Sequence, residues 1–171
     1  FLANRTKQRG SHQNPPDLNP YNLKIVRFRE HLDENGNVVW NFFPDQCRHC
    51  LTPICKDVAD MAVPGAIVGD PNTGIVLFTQ KTEQLSPEDV KAVTDACPYN
   101  IPRYNEETKR LTKCDMCVDR VGAGLTPICV KTCPTGAMVF GEREEVLAIA
   151  QKRLDEAKQR FPKAYLADAE D

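Results

Sequence analysis

The sequence predicts an α+β chain, and three observations carry that prediction. Two apolar runs flank an Asn35-Gly36 turn, a long amphipathic run closes the chain, and eight cysteines between them fall into spaced groups. Hydrophobic residues make up 41% and charged residues 27%, a globular balance, and 171 residues suffice for one domain or two small ones with a real core. The formal net charge of -2 lacks the basic excess of a nucleic-acid binder. No apolar run approaches the roughly 20 residues that a membrane helix needs.

Residues 1–22 are polar and rich in Asn, Gln and Pro, which is loop chemistry suited to a covering arm. Leu23 to Phe28 alternates apolar and basic residues, and Val38 to Phe43 is a second strand candidate. With Asn-Gly between them, residues 23–43 are expected to form a β-hairpin in which Trp40, Phe42 and Phe43 pack. Ile75 to Phe78 is a further strand candidate. Ser86-Pro87-Glu88-Asp89 is a helix start, with Ser as N-cap, Pro in the first turn and acids at the positive end of the dipole. That helix, about 87–96, turns Val90 and Val93 inward and delivers Cys97-Pro98. Tyr104 to Lys113 is expected as a polar connection, and Met138 to Phe140 as a short strand. Val146, Ala150, Leu154, Ala157 and Phe161 recur at helical spacing across about 142–161, and Pro162 stops the helix. The tail, 167–171, is short and acidic.

The cysteines carry the chemistry. Cys47, Cys50 and Cys55 form a C-x2-C-x4-C triad, and Cys114, Cys117 and Cys129 form a C-x2-C-x11-C triad. Cys97 and Cys133 are each followed by proline. The pentapeptide L-T-P-I-C occurs at 51–55 and again at 125–129, an internal repeat that marks duplicated units. The second copy continues to Cys133; the first has Ala59 at that place. Four disulfides would need no such grouping. Cysteine thiolates bind iron–sulfur clusters, and C-x3-C-P closes the bacterial ferredoxin run. Three plus one, twice, supplies eight ligands, enough for two cubane clusters, and the spacing leaves open which Cys-Pro serves which triad. Structural zinc, the rival, also takes four cysteines but needs neither the C-x2-C-x4-C triad nor a closing Cys-Pro. His49 is expected as an outer donor or a surface side chain. Lys113 either supplies positive charge near a cluster or is solvated, and Met116 and Met138 pack. An all-cysteine site has no open coordination position and no general base, which points to electron transfer rather than substrate turnover. The expected organisation is an arm and hairpin over 1–46, a paired ferredoxin-like [4Fe–4S] domain over 47–141, and a C-terminal helix and tail over 142–171.

F-F-P-D-Q-C-R-H-C (42–50), A-C-P-Y-N-I-P-R (96–103), K-C-D-M-C (113–117) and C-V-K-T-C-P-T-G-A-M (129–138) resemble the iron–sulfur (beta) subunit of tungsten- or molybdenum-dependent formate dehydrogenases. G-S-H-Q-N-P-P-D-L (10–18) is similar too. The wider family is the multi-cluster ferredoxin subunit of molybdopterin oxidoreductases. The resemblance implies a ferredoxin-like electron-transfer subunit with Cys47, Cys50, Cys55 and Cys97 on one [4Fe–4S] cluster. Cys114, Cys117, Cys129 and Cys133 are then the remaining ligands, and no residue is catalytic. It implies a large molybdopterin or tungstopterin catalytic subunit as partner, an external carrier such as a cytochrome or ferredoxin, and a periplasmic location, with the cytoplasm as the alternative. A sister reading is the same wire serving an oxidoreductase for sulfur oxyanions.

The family opens with a further C-x2-C-x2-C-x3-C run that is absent here, and the chain begins Phe1-Leu2-Ala3 with no initiating Met. The expectation is therefore an incomplete chain of a protein with two to three clusters. In that account a missing run supplies three ligands to join Cys133 and one to join Cys114, Cys117 and Cys129. Only the cluster at Cys47, Cys50, Cys55 and Cys97 then has all its ligands in this chain.

Overall fold

The computed structural model describes residues 15–166. The first fourteen residues of the polar opening and the acidic tail lie outside the described residues. The chain divides into two compact units, Phe1–Asp115 and Met116–Asp171. The division falls inside the stretch that the cysteine pattern groups as one paired domain.

In the first unit, strands β1 (Ile25–Leu32) and β2 (Val38–Asp45) pair antiparallel, with Phe28 opposite Phe42 and Leu32 opposite Val38. The turn between them is closed by Asp33, whose carboxylate accepts from the Asn35 and Asn37 amides, while Gly36 takes the left-handed conformation that Asn-Gly turns demand. Trp40, Phe42 and Phe43 do not pack into a core. They are 62%, 62% and 52% exposed, because the hairpin is two strands wide and Val26, Phe28, Leu32, Val38, Trp40 and Phe42 share one open face. On that face Phe28 stands 6.2 Å from Trp40 and 5.0 Å from Phe42 between ring centres. The opening before the hairpin is pinned at its end. Leu18 is buried against Ile25 and Ile101, and Asp17 bridges Arg27 at 2.6 Å and Arg103 at 3.0 Å.

Helix α1 (Ile54–Ala62) packs on strand β3 (Ile67–Gly69) and on helix α2 (Pro87–Asp95). Strand β4 (Val76–Phe78) pairs with β3, and a 3-10 turn over Gln80–Gln84 leads to α2. The Ser86 signal works as its chemistry dictates: its hydroxyl accepts from the Asp89 amide and the Asp89 carboxylate accepts from the Ser86 amide, a complete capping box. Val93 is fully buried, with Val90 beside it, in a core of Ala59, Ala66, Ile67, Val76, Leu85 and Leu111.

Residues 104–113 are not a plain connection. Strands β5 (Arg103–Asn105) and β6 (Arg110–Thr112) form a third hairpin. The Asn105 side chain accepts from the Glu107 and Thr108 amides, and Lys109 closes the turn with φ +56. Such strands of three residues, one of them buried at Leu111, leave too few apolar positions for a period-2 signal.

The second unit holds α3 (Val118–Gly122), α4 (Ile128–Lys131) and α5 (Arg143–Lys158). Met138 to Phe140 is not a strand: these residues are half-buried, and Met138 and Val139 line a cavity of about 540 Å³ with Val146, Ala150 and Leu154 of α5. No strand occurs in this unit among the described residues, so the run has no ladder to join. Helix α5 ends at Lys158, short of Phe161, which is exposed.

Candidate metal centre

The two C-x2-C turns are built alike. The residue before the second cysteine takes the left-handed conformation in both, His49 with φ +51 and Met116 with φ +56, and Cys117 follows at +53. Non-glycine residues avoid this region, so the tight turn stores strain at both sites. The two L-T-P-I-C copies are alike as well. Pro53 and Pro127 each precede a helix whose second residue is the cysteine, Cys55 in α1 and Cys129 in α4. Each sulfur is thereby carried on the first turn of its helix.

Cys47, Cys50, Cys55 and Cys97 line one cavity of about 30 Å³ in the first unit, together with Pro53, Val76, Tyr99, Ile101, Pro102, Arg48 and Lys113. An organic ligand needs several hundred Å³, so the space suits a small inorganic group. The cavity sits where two cores meet: Cys55 packs on the one containing Val93, Cys47 and Cys97 on the one containing Leu18 and Ile101. Burial first, then Cys47 and, less strongly, Cys97 and Cys50, push the Cys55 thiol up to about 11 against the opposing effect of Lys113. Four sulfurs crowded in an apolar wall favour thiolates only when a cation joins them, so this donor set fits a four-thiolate iron–sulfur cluster. The backbone amide of His49 donates to Cys47 Sγ at 3.4 Å.

Ala59, at the position matching Cys133, is fully buried in the hydrophobic core, and Cys97 fills the fourth place around the cavity. Of the other four cysteines, Cys114 belongs to the first unit and Cys117, Cys129 and Cys133 to the second. Cys133 sits in a turn that holds its thiol down at about 7, first through the Thr135 hydroxyl at 3.5 Å and then through the Met138, Ala137 and Thr135 amides. The Cys-Pro-Thr-Gly sequence thus wraps donors around a sulfur.

His49 is not a surface side chain. It is buried, and Nδ1 accepts from the Val76 amide at 3.0 Å. Burial first, then Lys113, lowers its pKa to about 3, so the ring is neutral. Lys113 is not solvated: it is 6% exposed, and although it neighbours Cys114 in sequence it lines the cavity of the other triad. Arg48 was not foreseen. It lies over the rings of Phe43 and Tyr99, 5.0 Å from each, and pairs with Asp45. The Asp45-x-x-Arg48 spacing was the available signal.

A family model described as 4Fe-4S dicluster domain matches residues 38–143, a span that contains all eight cysteines. The chain is 72% identical to formate dehydrogenase 2 subunit beta (cytochrome c-553) of Nitratidesulfovibrio vulgaris, over 99% of this chain and 77% of that one. It is 50% identical to the formate dehydrogenase subunit beta of Megalodesulfovibrio gigas over the same shares. With the nitrate-inducible iron-sulfur subunit of Escherichia coli formate dehydrogenase the identity is 42%, over 88% of this chain and 49% of the relative. The chain belongs to the formate dehydrogenase iron–sulfur (beta) subunits. It is an electron-transfer subunit that carries [4Fe–4S] clusters, and it is not the catalytic subunit. The fold is that of a 4Fe–4S dicluster domain, with mixed helices and small sheets. Neither a zinc-stabilised module nor a wire for sulfur oxyanions is favoured by these relatives.

Proposed function

We propose that this subunit conducts electrons between the pterin-metal catalytic subunit of a formate-oxidising enzyme and an external acceptor of the cytochrome type. The observation that carries the conducting role is the convergence of Cys47, Cys50, Cys55 and Cys97 on one small apolar cavity. These four hold one [4Fe–4S] cluster, and Cys114, Cys117, Cys129 and Cys133 are ligands of the remainder. A cluster in that cavity supplies one-electron acceptance and release. The protein's part is to hold the sulfurs in place and to exclude water with Val76, Ile101, Pro53 and Pro102. The subunit names of the relatives support a catalytic alpha partner, and the cytochrome c-553 in one of them supports a cytochrome as acceptor.

In this reading β1 and β2 are an insertion against a paired ferredoxin-like domain over 47–141, α5 is an appended helix, and the location is periplasmic, to be checked by fractionation. The open apolar face of the hairpin, joined to Cys47 through Gln46, supports burial against the large subunit. A specific interface there exceeds roughly 1,000 Å².

The test is anaerobic purification from the native host. A large subunit copurifies, and formate bleaches the brown chromophore within turnover. A stable, fully loaded monomer that formate never reduces would exclude the partnership.

A further inference from the structure

Lys113 is a buried cation with no carboxylate to answer it. Its side chain is almost fully enclosed, and among the described residues no Asp or Glu lies within ion-pair distance. Its ammonium donates to the carbonyls of Val76 and Cys114 and lies 5.1 Å over the Phe78 ring. The neighbouring cation on the same cavity, Arg48, is different: it is compensated by Asp45 at 3.6 Å. Burying an uncompensated charge is costly, so an anion belongs beside it. Among the described residues that line that cavity, the groups that ionise most readily to anions are the thiols of Cys47, Cys50, Cys55 and Cys97.

The geometry also fixes the lysine in place. Val76 accepts from Lys113 through its carbonyl and donates to His49 Nδ1 through its amide. His49 is part of the Cys47–Cys50 turn, so one backbone unit of β4 ties the lysine to the turn that carries two of the sulfurs.

We propose that Lys113 is a positioning residue for redox poise: a fixed counter-charge that raises the reduction potential of the cluster held by Cys47, Cys50, Cys55 and Cys97. Adding an electron makes a four-thiolate cluster more anionic, and a fixed positive charge in a low-dielectric wall stabilises the reduced form over the oxidised one. The proposal rests on the ligand reading given above.

The experiment is an EPR-monitored redox titration of the iron-loaded protein as purified, for wild type, Lys113→Met and Lys113→Arg, with iron counted in each. The signal that Cys97→Ala removes identifies the cluster concerned. In Lys113→Met its reduced-to-oxidised ratio at fixed poise falls about tenfold, a shift of about 59 mV for a one-electron couple. Lys113→Arg keeps the wild-type potential. Loss of that cluster from Lys113→Met with retention in Lys113→Arg supports the same requirement for charge. Unchanged potentials in both variants, an equal fall in both, or loss of the cluster from both overturns the proposal. If Cys97→Ala removes no signal, the ligand reading itself has failed, an outcome separate from the lysine result.

Discussion

The pentapeptide L-T-P-I-C folds the same way twice in this chain and is then used in two different settings. At 51–55 it starts a nine-residue helix that runs on to Ala62 and buries Ala59 in a core of branched side chains. At 125–129 it starts a helix of four residues, after which the chain turns at Cys133-Pro134. Every buried apolar side chain from Leu18 to Leu111 lies in the first unit. In the second, Pro127 is the one buried residue among those described, and α5 buries none. The duplicated element has therefore diverged in what stabilises it. Where the second copy has a sulfur the first has a methyl group inside a hydrophobic core, and Cys97, just beyond the end of α2, lines the cavity instead. The second has a sulfur at that place and no such core, and in the proposed reading it leans on metal ligation. A structural metal site can supply folding free energy that a small core lacks.

Removing the iron is the strongest way to break this comparison. Anaerobic chelation should raise amide exchange over 116–137 to nearly unfolded rates, while β3, β4 and α2 keep their protection. Uniform loss across both units would mean that the first core does not stand without its cluster.

Substitution at the fourth ligand comes next. Cys97→Ala should cost one cluster's iron and leave the remaining signals intact. Adding Ala59→Cys to that variant should not restore it, because Ala59 is fully buried in the hydrophobic core and does not line the cavity. Recovery of iron in the double variant would show that the two copies still share a ligand geometry.

Core truncation separates the units energetically. Ile67 is fully buried, so Ile67→Ala should destabilise by about 2–5 kcal/mol. Leu154, half-buried on α5, should cost about 1 kcal/mol or less on the same change. Denaturant unfolding of the two variants, followed by helix signal, measures the contrast. An effect of similar size to that at Leu154 is expected at a cap: Ser86→Ala should cost about 1 kcal/mol, since it removes the hydroxyl that accepts from the Asp89 amide.

The parts of the molecule legible from sequence were those in which local chemistry decides. Ser86 and Pro87 placed α2, and the spacing of Cys47, Cys50 and Cys55 placed three sulfurs that line one cavity. The Ala59 vacancy in the repeat pointed to a distant fourth sulfur, and Cys97 lines that cavity. The failures came from tertiary context. Val139 and Phe140 have strand composition, but among the described residues of their unit there is no strand for them to pair with, and Val139 lines a cavity with α5 instead. Arg103 to Thr112 has little apolar content, and its hairpin is set by the Asn105 side chain rather than by periodicity. The aromatics of β2 have core composition, yet a two-stranded sheet offers them no second layer. Lys113 and His49 are polar residues in a polar neighbourhood of the sequence. Only the fold brings both to the backbone of Val76.

The central claim is that Cys97 joins Cys47, Cys50 and Cys55 on one cluster, and an anomalous difference map recorded at the iron edge tests it most directly. The account predicts a compact group of iron peaks inside the cavity beside Val76 and Lys113, with the sulfurs of all four cysteines bonded to it and Ala59 in the core. Iron bound to Cys47, Cys50 and Cys55 with the Cys97 sulfur bonded elsewhere, or a single zinc at that place, would contradict it.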